Sequence, residues 1–162
     1  MIVVADAGPL IHLSQVRLLD LLPTLYGKVV VPDLVFSEVV REGDTLPGSA
    51  DLRAAGWVER VAQDPRVPLF QLLRAQLDSG EAAALSVAVE RQATLVLSDD
   101  RPARSAAEQL GLSVKGTLGL LVEAKRRGLI REVAPVVTEL RSRGFWLSAR
   151  LVERILAEAG ES

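Results

Sequence analysis

The sequence predicts an α/β fold, in the form of a three-layer α/β/α sandwich around a central parallel sheet of about five strands. Short β-branched runs alternate along the chain with longer segments of helical periodicity, which is typical of parallel βαβ units. The chain has 162 residues, of which 49% are hydrophobic, and this is enough for one domain with a substantial core. Aromatic residues make up only 4%, so we expect a core built mainly from Leu, Val and Ala.

The predicted elements alternate strand and helix along most of the chain. The first strand stops abruptly at Asp6, and Pro9 suits the start of the helix that follows. Strands are predicted at 2–5, 29–31, 57–61, 94–97 and 112–115. Helices are predicted at 9–22, 33–43, 50–55, 69–76, 82–91, 102–110 and 117–127, and mostly over 132–159 with a break near Gly144. A turn is predicted at 47–49, and Thr117 is predicted to cap its helix.

Composition excludes several classes of protein. The chain has no cysteine, so it has neither disulfides nor thiolate metal sites, and we expect a cytoplasmic protein. No apolar run reaches the roughly 18 residues that a membrane span needs. The net charge is −2, from 19 basic and 21 acidic residues, and this balance neither indicates nor excludes a nucleic-acid partner.

Acidic residues follow the predicted strands at positions that favour a shared site. Asp6 follows the first strand, and Asp99 and Asp100 follow the strand at 94–97. In a parallel sheet these residues emerge at the same edge, where Glu38 and Glu81 of the neighbouring helices can approach them. Carboxylates gathered in this way repel one another unless a cation lies between them, and their hard oxygens suit Mg²⁺ or Mn²⁺. The pattern therefore points to hydrolytic phosphoryl transfer.

Five segments resemble the PIN domain family, the fold of the VapC-type toxins of bacterial toxin–antitoxin systems and of related ribonucleases. They are VVADAGPLIHL, VPDLVFSEV, DSGEAAALSVA, LVLSDDRPAR and GTLGLLVEAKRRGLI. The resemblance covers roughly residues 1–130, which we take as a PIN-like nuclease domain, and we expect residues 131–162 to be a helical extension packed on it. The resemblance implies an Mg²⁺- or Mn²⁺-dependent endoribonuclease acting on RNA, a toxin-like role, a small antitoxin protein as partner, and a homodimer.

The resemblance also implies the site residues. Asp6, Glu38, Glu81 and Asp99 would be both catalytic and metal-binding. Glu81 departs from the family pattern, which usually has Asp at this position. The family often has Thr two residues before its fourth acid, and aligning Ser98 with that Thr would make Asp100 the ligand instead of Asp99.

Other polar residues have competing interpretations. Ser14, Arg101 and Arg104 are candidate contacts to substrate, although each is also explained as an ordinary helix-surface residue. His12 could act as a general base, but a solitary His in an apolar helix is more often structural. Asp6 could simply cap its helix, and Asp78 is assigned to capping.

Two other functions remain open from the sequence. One is a catalytically inert module of the same fold that binds RNA or protein. The other is a phosphotransfer domain, which also uses an Asp after its first strand, but the Asp6-Ala7-Gly8 segment lacks the second acid that such a site needs. No Gly-rich phosphate loop is present, so no nucleotide cofactor is predicted.

Overall fold

The computed structural model of this chain describes residues 1–42 and 49–161. Five strands form one parallel sheet in the order β3-β2-β1-β4-β5, which confirms the predicted sheet. The strands are β1 (Val3–Ala5), β2 (Val29–Pro32), β3 (Val58–Val61), β4 (Leu95–Leu97) and β5 (Val114–Lys115). The predicted helix end at residue 43 and most of the predicted turn at 47–49 lie outside the described residues.

Helices cover both faces of the sheet over the described parts of the chain. They are α1 (Ala7–Gln15), α2 (Leu21–Tyr26), α3 (Asp33–Glu42), α4 (Ser49–Arg53), α5 (Pro68–Leu73), α6 (Ser79–Glu90), α7 (Arg101–Gln109), α8 (Thr117–Arg126), α9 (Ala134–Ser142) and α10 (Ala149–Glu158).

Strand alternation divides the core into two layers. Val3 and Ala5 of β1 pack into one cluster of buried side chains, with α1, α2, α8, α9 and α10. Val4 between them packs into the other cluster, which α5, α6 and α7 complete. Because successive side chains of a strand point to opposite faces, this short apolar run must be covered on both sides. The three-layer α/β/α architecture follows.

The helix predicted at 9–22 is wrong in its middle. The first helix ends at Gln15, and α2 begins at Leu21 and includes Pro23, a residue expected near the end of the predicted helix. Arg17 adopts a φ of 59°, a left-handed conformation that interrupts the helix. Leu13 and Leu22 are buried on either side of this turn, so the apolar periodicity continues across a break that it cannot reveal.

The C-terminal helices are tied to the rest of the chain by Glu161. Its side-chain oxygens accept hydrogen bonds from the backbone N–H groups of Val133 and Ala134 and from Lys125 Nζ, at 2.7, 2.9 and 2.9 Å. Burial alone would raise the pKa of Glu161, but these donors hold it below its usual value. Glu161 thereby provides acceptors for the free backbone N–H groups at the start of α9, and it links α9 to α8. Among the described helices, none is long and apolar enough to cross a membrane.

Candidate active site

A crevice opens where the direction of the sheet order changes. The central strand β1 pairs with β2 on one side and with β4 on the other. From β1 the chain continues to β2 on one side of the sheet, whereas from β4 it continues to β5 on the opposite side. The helices that follow β1 and β4 therefore diverge and leave a gap at the carboxyl ends of these strands. In open α/β sheets, ligands bind in such a gap.

The gap holds a pocket of about 310 Å³ in which six carboxyl groups and one imidazole meet. The five predicted acids are brought together in it. No Lys or Arg lines it among the residues that the structure describes. The lining residues are Asp6, Ala7, Gly8, Ile11, His12, Glu38, Asp78, Glu81, Asp99, Asp100 and Phe145.

Asp6 lies at the floor of this site, between β1 and α1. It is 5% exposed, and its Oδ1 accepts a hydrogen bond from the Ala7 N–H at 2.8 Å, while its Oδ2 accepts one from Ser98 Oγ at 3.1 Å. Burial raises the pKa of Asp6 to about 7, and the negative charges of Asp78 and Glu38 add to this rise. Asp6 therefore both caps α1 and presents a poorly solvated carboxyl group to the pocket.

Asp99 is held by three donors. Its Oδ1 accepts from the Thr117 N–H at 2.6 Å, and its Oδ2 accepts from Thr117 Oγ1 at 2.6 Å and from His12 Nδ1 at 2.7 Å. The predicted role of Thr117 as a helix cap is wrong, because Gly116 occupies the N-cap position and the Thr117 hydroxyl is engaged by Asp99. With Asp99 as the acceptor, the proton of the His12 imidazole lies on Nδ1.

Glu81 and Asp100 form a second pair of acids. Asp78 and Glu81 make a capping box at the start of α6, so the assignment of Asp78 to capping is confirmed, although Asp78 also lines the pocket. Asp100 caps α7 by accepting from the Ala103 N–H at 3.0 Å. Burial raises the pKa of Glu81 to about 7, and a hydrogen bond to Asp100 and the charge of Asp78 contribute. Near neutral pH this pair therefore readily holds a proton.

Three glycines give the acids room, and the sequence interpretation missed their role. A Cβ on Gly80 would lie 2.9 Å from Glu38 Oε2, and one on Gly8 would lie 3.3 Å from Asp99 Cβ. A Cβ on Gly116 would lie 2.8 Å from both Asp99 Oδ1 and Arg104 Nη1. Each glycine lies within two residues of a pocket residue or of a donor to Asp99, and this proximity is the signal that could have identified them.

His12 and Phe145 form one wall of the pocket. Their rings stack with centroids 3.8 Å apart and planes inclined by 10°. The structure therefore places His12 in the pocket, where the sequence interpretation favoured a structural residue. Phe145 belongs to the predicted C-terminal extension, and no local sequence signal connects it with the distant acids.

The three residues predicted to contact substrate lie outside the pocket lining. Ser14 is 2% exposed, and its Oγ donates to the Leu10 carbonyl at 2.7 Å, so the structure does not support a contact to substrate. The hydroxyl instead hydrogen-bonds to a backbone carbonyl of the preceding turn of α1, as Ser side chains inside helices commonly do. Arg101 is exposed at the start of α7, and Arg104 lies half-buried over Gly116.

The donor set fits a hard divalent cation by its chemistry. All candidate ligands are carboxylate oxygens, and burial, with a smaller contribution from neighbouring carboxylates, raises the pKa values of Asp6 and Glu81. Within the described residues, no three His, Asp or Glu side chains are arranged to hold one ion as they stand. Mg²⁺ does not require this, since it keeps several waters and is usually held by one or two carboxylates together with substrate phosphates.

The chain matches a model of a known protein family. Residues 2–161 match a family model, DUF3368, described as a PIN domain, which spans both predicted parts of the chain. No curated protein matches the chain.

Proposed function

We propose that this chain, which belongs to the PIN domain family, is an Mg²⁺- or Mn²⁺-dependent endoribonuclease that hydrolyses RNA phosphodiester bonds. PIN domains are usually nucleases and generally use divalent metal ions. The observation that carries the proposal is the pocket at the carboxyl ends of β1 and β4, where six carboxyl groups gather and which no Lys or Arg of the described residues lines. A phosphate could enter such a pocket only together with a cation.

Four of these carboxyl groups would bind the cation. Asp6, Glu38 and Glu81, with Asp99 or Asp100, are the residues that would hold the ion. When bound, a divalent ion supplies positive charge to the scissile phosphate and makes the attacking water more acidic. Asp99 already accepts three hydrogen bonds. The oxygens of Asp100 accept fewer and are therefore more available to a cation.

Cation binding near neutral pH would displace protons from two groups of this pocket. Burial raises the pKa of Asp6 and of Glu81 to about 7 in the metal-free protein, and a cation would bind their deprotonated forms. Asp99 and Phe145 together hold the ring of His12 in one orientation at the pocket wall. The chain's own residues thus provide ordered donors and acceptors around the position of the reacting phosphate.

Substitution of Asp6 tests the proposal. Asp6→Asn keeps the size of the side chain and removes its charge, and we expect RNA cleavage in Mn²⁺ or Mg²⁺ to fall by more than the roughly 10- to 100-fold that outer-shell partners of a metal typically cost. Calorimetric Mn²⁺ binding should weaken in parallel. Asp64→Asn is the matched control, because Asp64 is a surface acid that does not line the pocket. Cleavage by Asp6→Asn at the parent rate, or cleavage by the parent in EDTA, would refute the proposal.

An inert RNA-binding module of the same fold is favoured by a different observation. Within the described residues, no three His, Asp or Glu side chains are already arranged to hold one ion. Such a module would bind RNA with no cleavage at any concentration of Mn²⁺, and Asp6→Asn would leave its binding unchanged. The cleavage assay above therefore separates the two functions.

The toxin-like role, the antitoxin partner, the homodimer and the cytoplasmic location stay predictions that depend on the VapC resemblance. Induced expression should arrest growth of a bacterial host, and Asp6→Asn should abolish the arrest. Light scattering of the purified chain measures the oligomeric state directly, and a monomer would contradict the dimer.

A further inference from the structure

We propose that Trp146 is a stacking platform for an unpaired nucleobase of RNA beside the acidic pocket; this inference rests on the proposed ribonuclease function. Trp146 is 83% exposed, although it is among the largest apolar side chains of the protein. Its neighbour Phe145 lines the pocket and stacks on His12. The indole therefore lies one residue from the wall of the candidate active site.

The segment that carries Trp146 is anchored on both sides. Between α9 and α10 the chain alternates, with Phe145 against His12, Trp146 outward and Leu147 buried at 6% exposure. Arg141 Nη2 donates to the Leu147 carbonyl at 2.8 Å, which fixes the backbone next to the indole. A platform that is already held in place loses little conformational entropy when a base stacks on it.

The charge around Trp146 suits a polyanion. Residues 141–150 contain three arginines, at 141, 143 and 150, and no acidic residue. The pocket itself is lined by carboxyl groups, which repel phosphates. Arg143 is paired with Glu139 at 3.6 Å, whereas Arg141 donates to a neutral carbonyl and keeps its charge. Arg141 and Arg150 thus supply the attraction for the RNA backbone that the pocket lacks, and phosphate contacts from Arg provide much of the affinity for nucleic acid.

Stacking selects unpaired RNA. A base can lie flat on an indole only when its own face is free, which is the case in single strands, loops and bulges but not within a duplex. A protein partner could also use an exposed Trp, but the arginines of this segment favour the phosphate backbone of an RNA strand.

Two measurements on the full-length protein test the assignment. The first is the affinity for fluorescein-labelled hexauridylate in EDTA at low ionic strength. We expect Trp146→Ala to weaken it by about 5- to 150-fold, the range that one base–aromatic stack supplies, and Trp146→Phe to keep most of it. The matched control is Leu72→Ala, which removes a side chain that is 70% exposed on α5, an element that contributes nothing to the pocket. Affinity for a blunt RNA duplex should not depend on Trp146.

The second measurement reports contact directly. In a Trp57→Phe background, Trp146 is the sole tryptophan, and hexauridylate should quench its fluorescence. Because neither readout requires cleavage, binding and quenching by a protein that never cleaves RNA would refute the nuclease proposal alone. A Trp146→Ala protein that binds hexauridylate as tightly as Leu72→Ala overturns the platform, even if the protein cleaves RNA, and would assign the indole to a protein partner.

Discussion

Replacing Asp6 by Asn should stabilise the metal-free protein at alkaline pH, although it removes a carboxylate on which the proposed activity depends. Asp6 is 5% exposed, and burial raises its pKa from 3.8 to about 7. The unfolded chain releases this proton near pH 3.8, whereas the folded chain keeps it until about pH 7. The folded state therefore binds more protons between these values, and its stability falls as pH rises through that window.

The size of the effect follows from the width of the window. The interval from 3.8 to about 7, at about 1.4 kcal/mol per pH unit, corresponds to about 4 kcal/mol as an upper bound. This destabilisation is absent below pH 3.8 and complete above about pH 7. Asn keeps an oxygen to accept from the Ala7 N–H, and its amide can donate to Ser98 Oγ. We therefore expect Asp6→Asn to gain about 2–4 kcal/mol at pH values above 7 and close to nothing near pH 4.

Urea unfolding followed by circular dichroism, in EDTA at both pH values, measures these gains. Asp64→Asn is the control of opposite sign, because a hydrogen bond from Arg66 lowers the pKa of Asp64 and its neutralisation should not stabilise the fold. Added Mn²⁺ should then stabilise the parent more than it stabilises Asp6→Asn, since binding to the folded state alone raises stability. The reasoning fails if Asp6→Asn is no more stable than the parent above pH 7, or if it gains the same stability at both pH values. Either result would mean that burial does not destabilise the charged form of Asp6.

Two further predictions concern the support of the site and the end of the chain. Gly80→Ala would place a Cβ 2.9 Å from Glu38 Oε2 and displace it, so we expect RNA cleavage to fall about 10-fold or more with little change in stability, whereas Gly56→Ala, with nothing within 4 Å, should keep the parent rate. Equal rates for the two variants would contradict the role of Gly80. Glu161→Gln should cost about 1 kcal/mol at neutral pH, as the loss of a helix cap does, and the exposed Glu158→Gln should cost nothing measurable in the same urea titration. Because the pKa of Glu161 is lowered from 4.5 in the folded protein, the cost of Glu161→Gln should disappear as the pH falls below 4.5 and Glu161 itself becomes protonated. A difference in stability that persists in acid would contradict this role of Glu161.

Strand positions were the most predictable part of the fold. Each predicted strand overlaps an observed one, because β-branched runs bounded by turn residues are local signals. The break between α1 and α2 was not predictable in the same way. It depends on Arg17 in a left-handed conformation, which an Arg adopts only where the surrounding packing requires it.

The acids and their neighbours show a similar division. The position of Asp6 and Asp99 after apolar strands indicated a common edge, and the pairing of Val4 with Val96 brings β1 and β4 together as expected. The hydrogen bonds that Thr117 and His12 make to Asp99 have no such signal, because these residues come from separate helices and are far apart in the sequence. Their roles depend on how α1 and α8 cross the sheet.

The sequence alone determined the kind of protein: the alternation of strands and helices, the parallel sheet and a set of acids at strand and helix ends. These properties follow from local periodicity and from the residue types that end each element, and such information is present in any short window of the chain. Only the tertiary structure decided which carboxyl group is buried, which one is already hydrogen-bonded, and that Phe145 lines the pocket. Burial and hydrogen bonding are set by neighbours distant in the sequence, and packing alone brings those neighbours together.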